Sequence, residues 1–377
     1  MMSLYLSAFF QNTGLTIVLI GFVFYLIHHF HATLFQLGAL TGMGALVFMG
    51  GAASSRFFAR HFSPKQLTLF GTTLFIVSSL SYPFLPTFAS VFWAYSFASF
   101  AMSLFWPSLE NWISLESPTG SLKRSVVRFN LSWSPGQIIA PFLAGFLFER
   151  GALLPIWFGT FLTFPVFFLL SRFPMRTLEK GTPSQKSHHA APSRFLVACW
   201  LSNLAAWFAA AIFRSLFPKY GLVLGLSPST IGAYLLLIGV GQVLFFFFLG
   251  RFEGWEHSPR FLFFWEGVAV FALLSIALTH QPVLWVFSFF LFGCFAGTAY
   301  YASLFMSLKE RGPHGGGSSF HESLIGLGIC LGPIVGGGIG QRFGAHAPYL
   351  ASAAMLFIVL LAQYLLLRNS TIVIPGE

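Results

Sequence analysis

The sequence has 377 residues, of which 56% are apolar and only 8% are charged, and its formal net charge is +10. About a quarter of the residues of a soluble protein are charged, so this composition excludes an ordinary water-exposed surface. Apolar stretches of about 20 residues recur along the chain, and each is long enough to cross a bilayer as a helix. The sequence therefore predicts an all-α integral membrane protein.

Twelve membrane spans fit the chain in two groups of six. The first group covers residues 4–27, 33–55, 66–86, 88–113, 125–149 and 152–171. The second covers 194–217, 228–249, 260–280, 283–307, 317–341 and 347–367. A polar segment rich in Pro, Ser, Lys and His separates them. We therefore expect an N-terminal six-helix bundle (1–171), a cytoplasmic linker (172–193) and a C-terminal six-helix bundle (194–377).

The basic residues orient these spans. With the linker and both termini in the cytoplasm, 16 of the 20 Lys and Arg residues lie at inner ends, and only Arg150, Arg214, Lys219 and Arg342 lie towards the outside. This is a strong positive-inside bias. We expect a multi-pass protein of a bacterial inner membrane with both termini cytoplasmic.

The positive charge does not indicate a nucleic-acid partner, because no basic helix stands apart from the apolar spans. The three cysteines, Cys199, Cys294 and Cys330, lie inside spans and lack CxxC spacing. We therefore expect no disulfide, no metal site and no cofactor.

A faint internal repeat relates the fifth span to the eleventh. Residues 128–150 and 320–342 align at a constant offset of 192, which places Pro141 on Pro333 and Arg150 on Arg342. Small residues three or four apart let another helix backbone approach closely. The eleventh span carries the fuller pattern, which consists of Gly328, Gly332, Pro333, Gly336 and Gly337.

The Gly328–Gly337 run resembles the GxxxGPxxGG element of the major facilitator superfamily (MFS). The loop at residues 51–60 resembles a degraded form of that superfamily's GxxxDRxGRR signature, with Ser55 at the position of its usual acid. The resemblance implies two pseudo-symmetric six-helix bundles and a substrate site between them near mid-membrane. It also implies that spans 1, 4, 7 and 10 line the cavity and that spans 2 with 11 and 5 with 8 form the seams. The same resemblance implies a monomer that moves its substrate by alternating access.

Ionisable residues inside spans are candidates for coupling and gating, since each costs roughly 2.5–3.5 kcal/mol at mid-membrane on insertion scales. Glu110 lies near the inner end of the fourth span, and Glu322 follows His321 at the inner end of the eleventh. Arg128 and Asn130 occupy the equivalent place in the fifth span. A pair between Arg128 and Glu322 would join the halves as a latch that breaks when the gate opens. A pair between Arg128 and Glu110 would lie within the first half and would be a static ion pair that holds that bundle together. A latch that breaks would make the acid easier to protonate.

Polar and aromatic side chains at helical spacing are candidates for substrate binding. Arg214 would hold an anionic group by bidentate contact, or would instead extend to the outer surface. The other candidates are Gln11, Trp106, Asn203, Trp207, Tyr300 and Tyr301. We expect Gln137 and Gln242 to join the fifth and eighth spans, and Glu266 to lie at the periphery.

These features predict a secondary active transporter for a small, partly aromatic or amphipathic organic solute, coupled to protons or another ion. A lipid or lysolipid flippase of the same fold is an alternative. A membrane-embedded enzyme is a further one, but the sequence has neither HExxH nor GxSxG, and it has no Asp to complete a triad.

Overall fold

The computed structural model describes residues 2–116, 122–173, 192–252, 254–311 and 317–368, and these residues form helices and short turns. In the first half the helices are α1 (Met2–His29), α2 (Leu34–Phe58), α3 (Pro64–Ser81), α4 (Phe88–Glu116), α5 (Leu122–Phe148), α6 (Leu154–Phe161) and α7 (Phe164–Ser171). In the second half they are α8 (Arg194–Val223), α9 (Pro228–Arg251), α10 (Pro259–Leu278), α11 (Pro282–Arg311), α12 (Gly317–Phe343) and α13 (Ala347–Leu367).

Within these residues, twelve segments are long and apolar enough to cross a membrane, as the sequence predicts. The sixth span differs from the expected single helix, because it breaks between α6 and α7. Pro165 lies in the first turn of α7, where its missing N–H and its ring oppose a continuous helix. Together α6 and α7 form the sixth span, so α8 is the seventh.

Several helices begin at a Ser-Pro pair. The hydroxyls of Ser63, Ser227 and Ser258 cap α3, α9 and α10 by accepting a backbone N–H, and each is followed by a proline. This arrangement satisfies one of the free donors at a helix N-terminus, and proline at the first helical position has no donor to lose. The short loops of the chain are therefore encoded locally.

Two seams join the halves, and they repeat the same contacts. In the seam of α2 with α12, Gly38 packs on the carbonyl of Pro333; in the seam of α5 with α9, Gly232 packs on the carbonyl of Pro141. A Cβ at either glycine would collide with that backbone. The small residues thus bring the helix backbones into direct contact, and the internal repeat appears in the structure as a repeated seam.

The outer surface of the bundle is apolar. Large exposed side chains such as Phe57, Trp93, Phe264 and Phe357 project from different helices, whereas a water-exposed surface of this extent would carry many charges. The protein is an integral, multi-pass membrane protein. We refer below to the end at which Phe173 and Pro192 lie as the linker end and to the opposite end as the far end.

Candidate functional site

Tyr300 on α11 is the centre of an aromatic cluster between the halves. Its ring lies 5.9 Å from Trp133 of α5, 6.1 Å from Trp207 of α8 and 4.9 Å from His321 of α12, measured between ring centroids. Trp133 belongs to the first half and the other three residues to the second. Tyr300 therefore faces the opposite half, while its neighbour Tyr301 packs inside the second half against Trp255.

A buried polar group extends from this cluster. His321 is fully buried, and its Nδ1 lies 2.8 Å from the Ser303 hydroxyl and 3.4 Å from the Asn203 amide. Its Nε2 has no hydrogen-bond partner and lies 3.9 Å from an oxygen of Glu322. If the Ser303 hydroxyl donates to Nδ1, the proton of neutral His321 is on Nε2, directed towards Glu322. The sequence analysis named Asn203 as a candidate for substrate binding and His321 as a candidate for gating, and the two side chains contact each other in this polar group.

Glu322 and Glu110 approach each other from different halves. Each carboxyl group lies within electrostatic range of the other, and both lie within that range of the Tyr300 side chain. The side chain of Glu322 is 41% exposed although it lies within a span. The Glu322 side chain therefore remains accessible while His321, its neighbour in the chain, is fully buried. Two carboxylates here repel each other whenever both are ionised.

Arg128 does not join these acids in this conformation. Its side chain is exposed, and within the described part of the chain it forms no ion pair with Glu110 or Glu322. A long side chain one turn and a half into α5 can reach water beyond the helix end, which relieves the cost of burying its charge. Asn130, two residues on, is fully buried with neither amide atom hydrogen-bonded.

Arg214 turns into the protein and does not extend to the outer surface. It lies more than two turns before the end of α8, and it donates a 2.7 Å hydrogen bond to Gln137 Oε1 on α5. The guanidinium also lies 5.2 Å from the centre of the Trp207 ring. Gln137 was expected to join α5 to α9, the eighth span, and its backbone does lie against Gly239 of α9. Its side-chain oxygen, however, bonds to α8. The signal for this contact in the sequence was the presence of polar side chains, Gln137 and Arg214, inside apolar spans.

The halves are also joined at the far end. Lys219 on α8 donates to the Ala32 carbonyl in the loop before α2. Glu149, just beyond α5, accepts the Ser229 backbone N–H of α9 at 2.8 Å. Hydrogen bonds from the Ser229 hydroxyl and backbone lower the pKa of Glu149, with smaller contributions from Ser227 and Arg150. These contacts hold the two halves together at the far end.

Two other predicted residues have their described side-chain contacts within the first half. Gln11 bonds to Met102 and Thr72, and Trp106 packs edge-on against Phe105. Glu266 corrects the expectation of a peripheral residue. It is fully buried in the second half, where it accepts a 2.8 Å hydrogen bond from Gln363 of α13.

Comparison with solved structures gives the same fold over nearly the whole chain. The nucleoside transporter NupG matches with a TM-score of 0.76 at 14% identity, covering 98% of this chain and 99% of that one. A bacterial homologue of the human lysosomal transporter Spinster, in an inward-facing and occupied conformation, matches with a TM-score of 0.74 at 15% identity, covering 98% and 97%. A POT family transporter in complex with a thioalcohol-conjugated peptide gives 0.74 at 14%, covering 97% and 95%.

No curated protein matches the sequence itself. The model of the Major Facilitator Superfamily matches residues 4–314 of the 377. That match agrees with the twelve spans, the paired seams and the polar residues between the halves. The chain belongs to the major facilitator superfamily, and it is a membrane transporter rather than an enzyme.

Proposed function

We propose that the protein is a proton-coupled secondary transporter that moves a small amphipathic organic solute by alternating access. Its halves, 1–171 and 194–377, rock against each other about the two seams, with the linker end in the cytoplasm. The whole pathway lies between the halves of one chain, so a monomer suffices. The observation that carries the proposal is the approach of Glu110 and Glu322 from opposite halves.

The coupling follows from the charges of these two acids. When both are ionised, their repulsion opposes closure of the linker end, because closure brings the halves together there. A proton on either acid removes the repulsion and lets the linker end close. Proton binding therefore biases a two-state element, which is the physical requirement for coupling. His321, with its Nε2 towards Glu322, lies where it can donate a hydrogen bond to the ionised acid.

The flippase alternative requires a lipid to pass sideways between the halves. Glycine-to-backbone contacts join the helices of each seam, including those of Gly38 with Pro333 and of Gly232 with Pro141. A lipid that entered sideways would have to separate these helices, whereas a solute that travels along the membrane normal between the halves would leave both contacts in place.

A distance measurement across the linker end tests the proposal without knowledge of the substrate. Spin labels on His61→Cys and Arg260→Cys, both exposed positions, report the separation of the halves in nanodiscs by double electron–electron resonance. The three native cysteines are buried. We expect shorter distances at pH 5 than at pH 8, and short distances at both pH values when Glu110→Gln and Glu322→Gln are combined.

The control is Glu310→Gln, which removes an acid at the linker end that bonds to Ser193 within the second half. This variant should keep the pH response of the parent. A parent protein whose distances do not change with pH contradicts the proposed coupling, as does an unchanged pH response in the double Glu110 and Glu322 variant.

A further inference from the structure

Arg214 is a partly buried cation inside a membrane span, and its described partners are all neutral. It bonds to the Gln137 amide and lies over the Trp207 ring. Among the described residues, no carboxylate lies within ion-pair distance of it. A cation at this depth is costly unless an anion compensates it. The protein itself supplies a hydrogen-bond acceptor and an aromatic face, and it leaves the charge uncompensated.

The surroundings of Arg214 belong to both halves. Together with Thr16 and Gln137 it borders a cavity of about 20 Å³ between α1, α5, α8 and α9, which is room for about one water molecule. In this conformation the guanidinium donates a hydrogen bond to the Gln137 side-chain oxygen. An oxygen of a carboxylate, sulfonate or phosphate would replace that amide oxygen as the acceptor. The anion would bind more strongly, because its hydrogen bonds to the guanidinium are charge-assisted and two of them form side by side.

Aromatic rings continue from Arg214 towards the linker end. Trp207 lies seven residues before Arg214 on α8, about 10 Å along the helix axis, and Tyr300 lies next to Trp207 across from Trp133. These faces suit a ring or another flat apolar group. The order along the pathway is therefore a cation, then aromatic faces, then the acids.

We propose that Arg214, with Gln137, binds the anionic group of the transported solute, and that Trp207 and Tyr300 bind its apolar part. The substrate class is then an amphipathic organic anion that carries one acidic group. This inference extends the proposed function and rests on it, because the bound anion is a transported substrate only if the protein is a transporter. Binding of the anion competes with the bond between Arg214 and Gln137, and so loosens one contact that joins the halves.

Matched acids and amides test the inference by binding alone. The probes are indole-3-acetate, benzoate and naphthalene-2-sulfonate, each compared with its neutral amide or sulfonamide. The readout is the shift in thermal unfolding of the purified protein at pH 7.5. We expect at least one acid to stabilise the protein with an apparent affinity at least about tenfold greater than that of its neutral partner.

Variants assign that preference to Arg214. Arg214→Gln should remove the preference for the acid, and Arg214→Lys should retain part of it, because the charge remains while the two-pronged geometry is lost. The control is Arg150→Gln, which removes an exposed arginine that contacts Phe146 at the far end. It should keep the full preference.

Two results overturn the inference. One is that, in the parent protein, the acid of every pair stabilises no more than its neutral partner does. An absence of stabilisation by any of the six compounds counts as this result. The other is an undiminished preference in Arg214→Gln. The wild-type comparison needs no variant, so poor folding of Arg214→Gln leaves the test intact. Because binding is measured without a pH gradient, its failure is distinct from failure of the Glu110 and Glu322 coupling.

Discussion

Replacing Glu149 with Gln removes the charge from the contact that joins α5 to the N-terminus of α9 at the far end. Glu149 accepts the Ser229 N–H at 2.8 Å, and Ser229 lies in the first turn of α9. A hydrogen bond to a charged group contributes about 1.5–3 kcal/mol when shielded, and the positive end of the helix dipole adds to it. Since Glu149 is exposed, solvent screening reduces the sum to about 1 kcal/mol.

A loss of about 1 kcal/mol lowers the ratio of closed to open far-end conformations about fivefold. The pKa of Glu149 is below its ordinary value of 4.5 because Ser229 bonds to the ionised form. Its contribution to the closed state is therefore complete above pH 4.5 and disappears as the pH falls through the lowered pKa. At pH 7 the variant should show the full effect.

Spin labels on Pro86→Cys and Gln281→Cys, exposed at the far end of each half, report this ratio at pH 7. The long-distance population should grow about fivefold relative to the short one in Glu149→Gln. Glu310→Gln, an acid at the other end, should leave it unchanged. Equal distributions for Glu149→Gln and the parent would refute the reasoning, because the contact would then contribute nothing to closure.

Two further substitutions test the packing. Gly332→Val should lower the free energy of unfolding by about 1–3 kcal/mol, because the added Cβ would collide with the Phe208 backbone. The control is Gly338→Val, which should change the thermal midpoint little because Gly338 faces open space. Equal thermal midpoints for the two variants would argue against the close approach of α8 and α12. Glu266→Ala should lower the free energy of unfolding by about 1–3 kcal/mol in chemical denaturation, because the buried Gln363 amide keeps its bond to the Ala198 carbonyl but loses its other acceptor. An unchanged denaturation midpoint would contradict a stabilising role of the Glu266 contact.

The architecture could be predicted because its signals are local and repeated. Length and hydropathy give the spans, and the repeat around Pro141 and Pro333 anticipates the two seams. Small residues at helical spacing have one dominant use in a membrane, which is close helix packing. The break in the sixth span was missed, because proline occurs in membrane helices both with and without a break. Pro333 lies inside the continuous helix α12.

Side-chain direction could not be predicted in the same way. In water the apolar face of a helix identifies its buried side, but in a bilayer the lipid-facing and buried sides are both apolar. The sequence therefore left open whether Glu266, Gln137 and Arg214 face lipid, a neighbouring helix or the central space. The approach of Glu110 to Glu322 likewise depends on how the two halves pack. The sequence therefore predicts the depth of each residue within its span, but it does not predict the direction in which the side chain points from the helix axis.

A double-mutant cycle on Glu110→Gln and Glu322→Gln tests the central claim most directly. The measured quantity is the ratio of closed to open linker-end conformations at pH 8, read from the labels at positions 61 and 260. Repulsion needs both charges, so either single variant should shift the ratio towards closure nearly as far as the double variant does. Single effects that add independently, or no shift in any variant, would contradict the account.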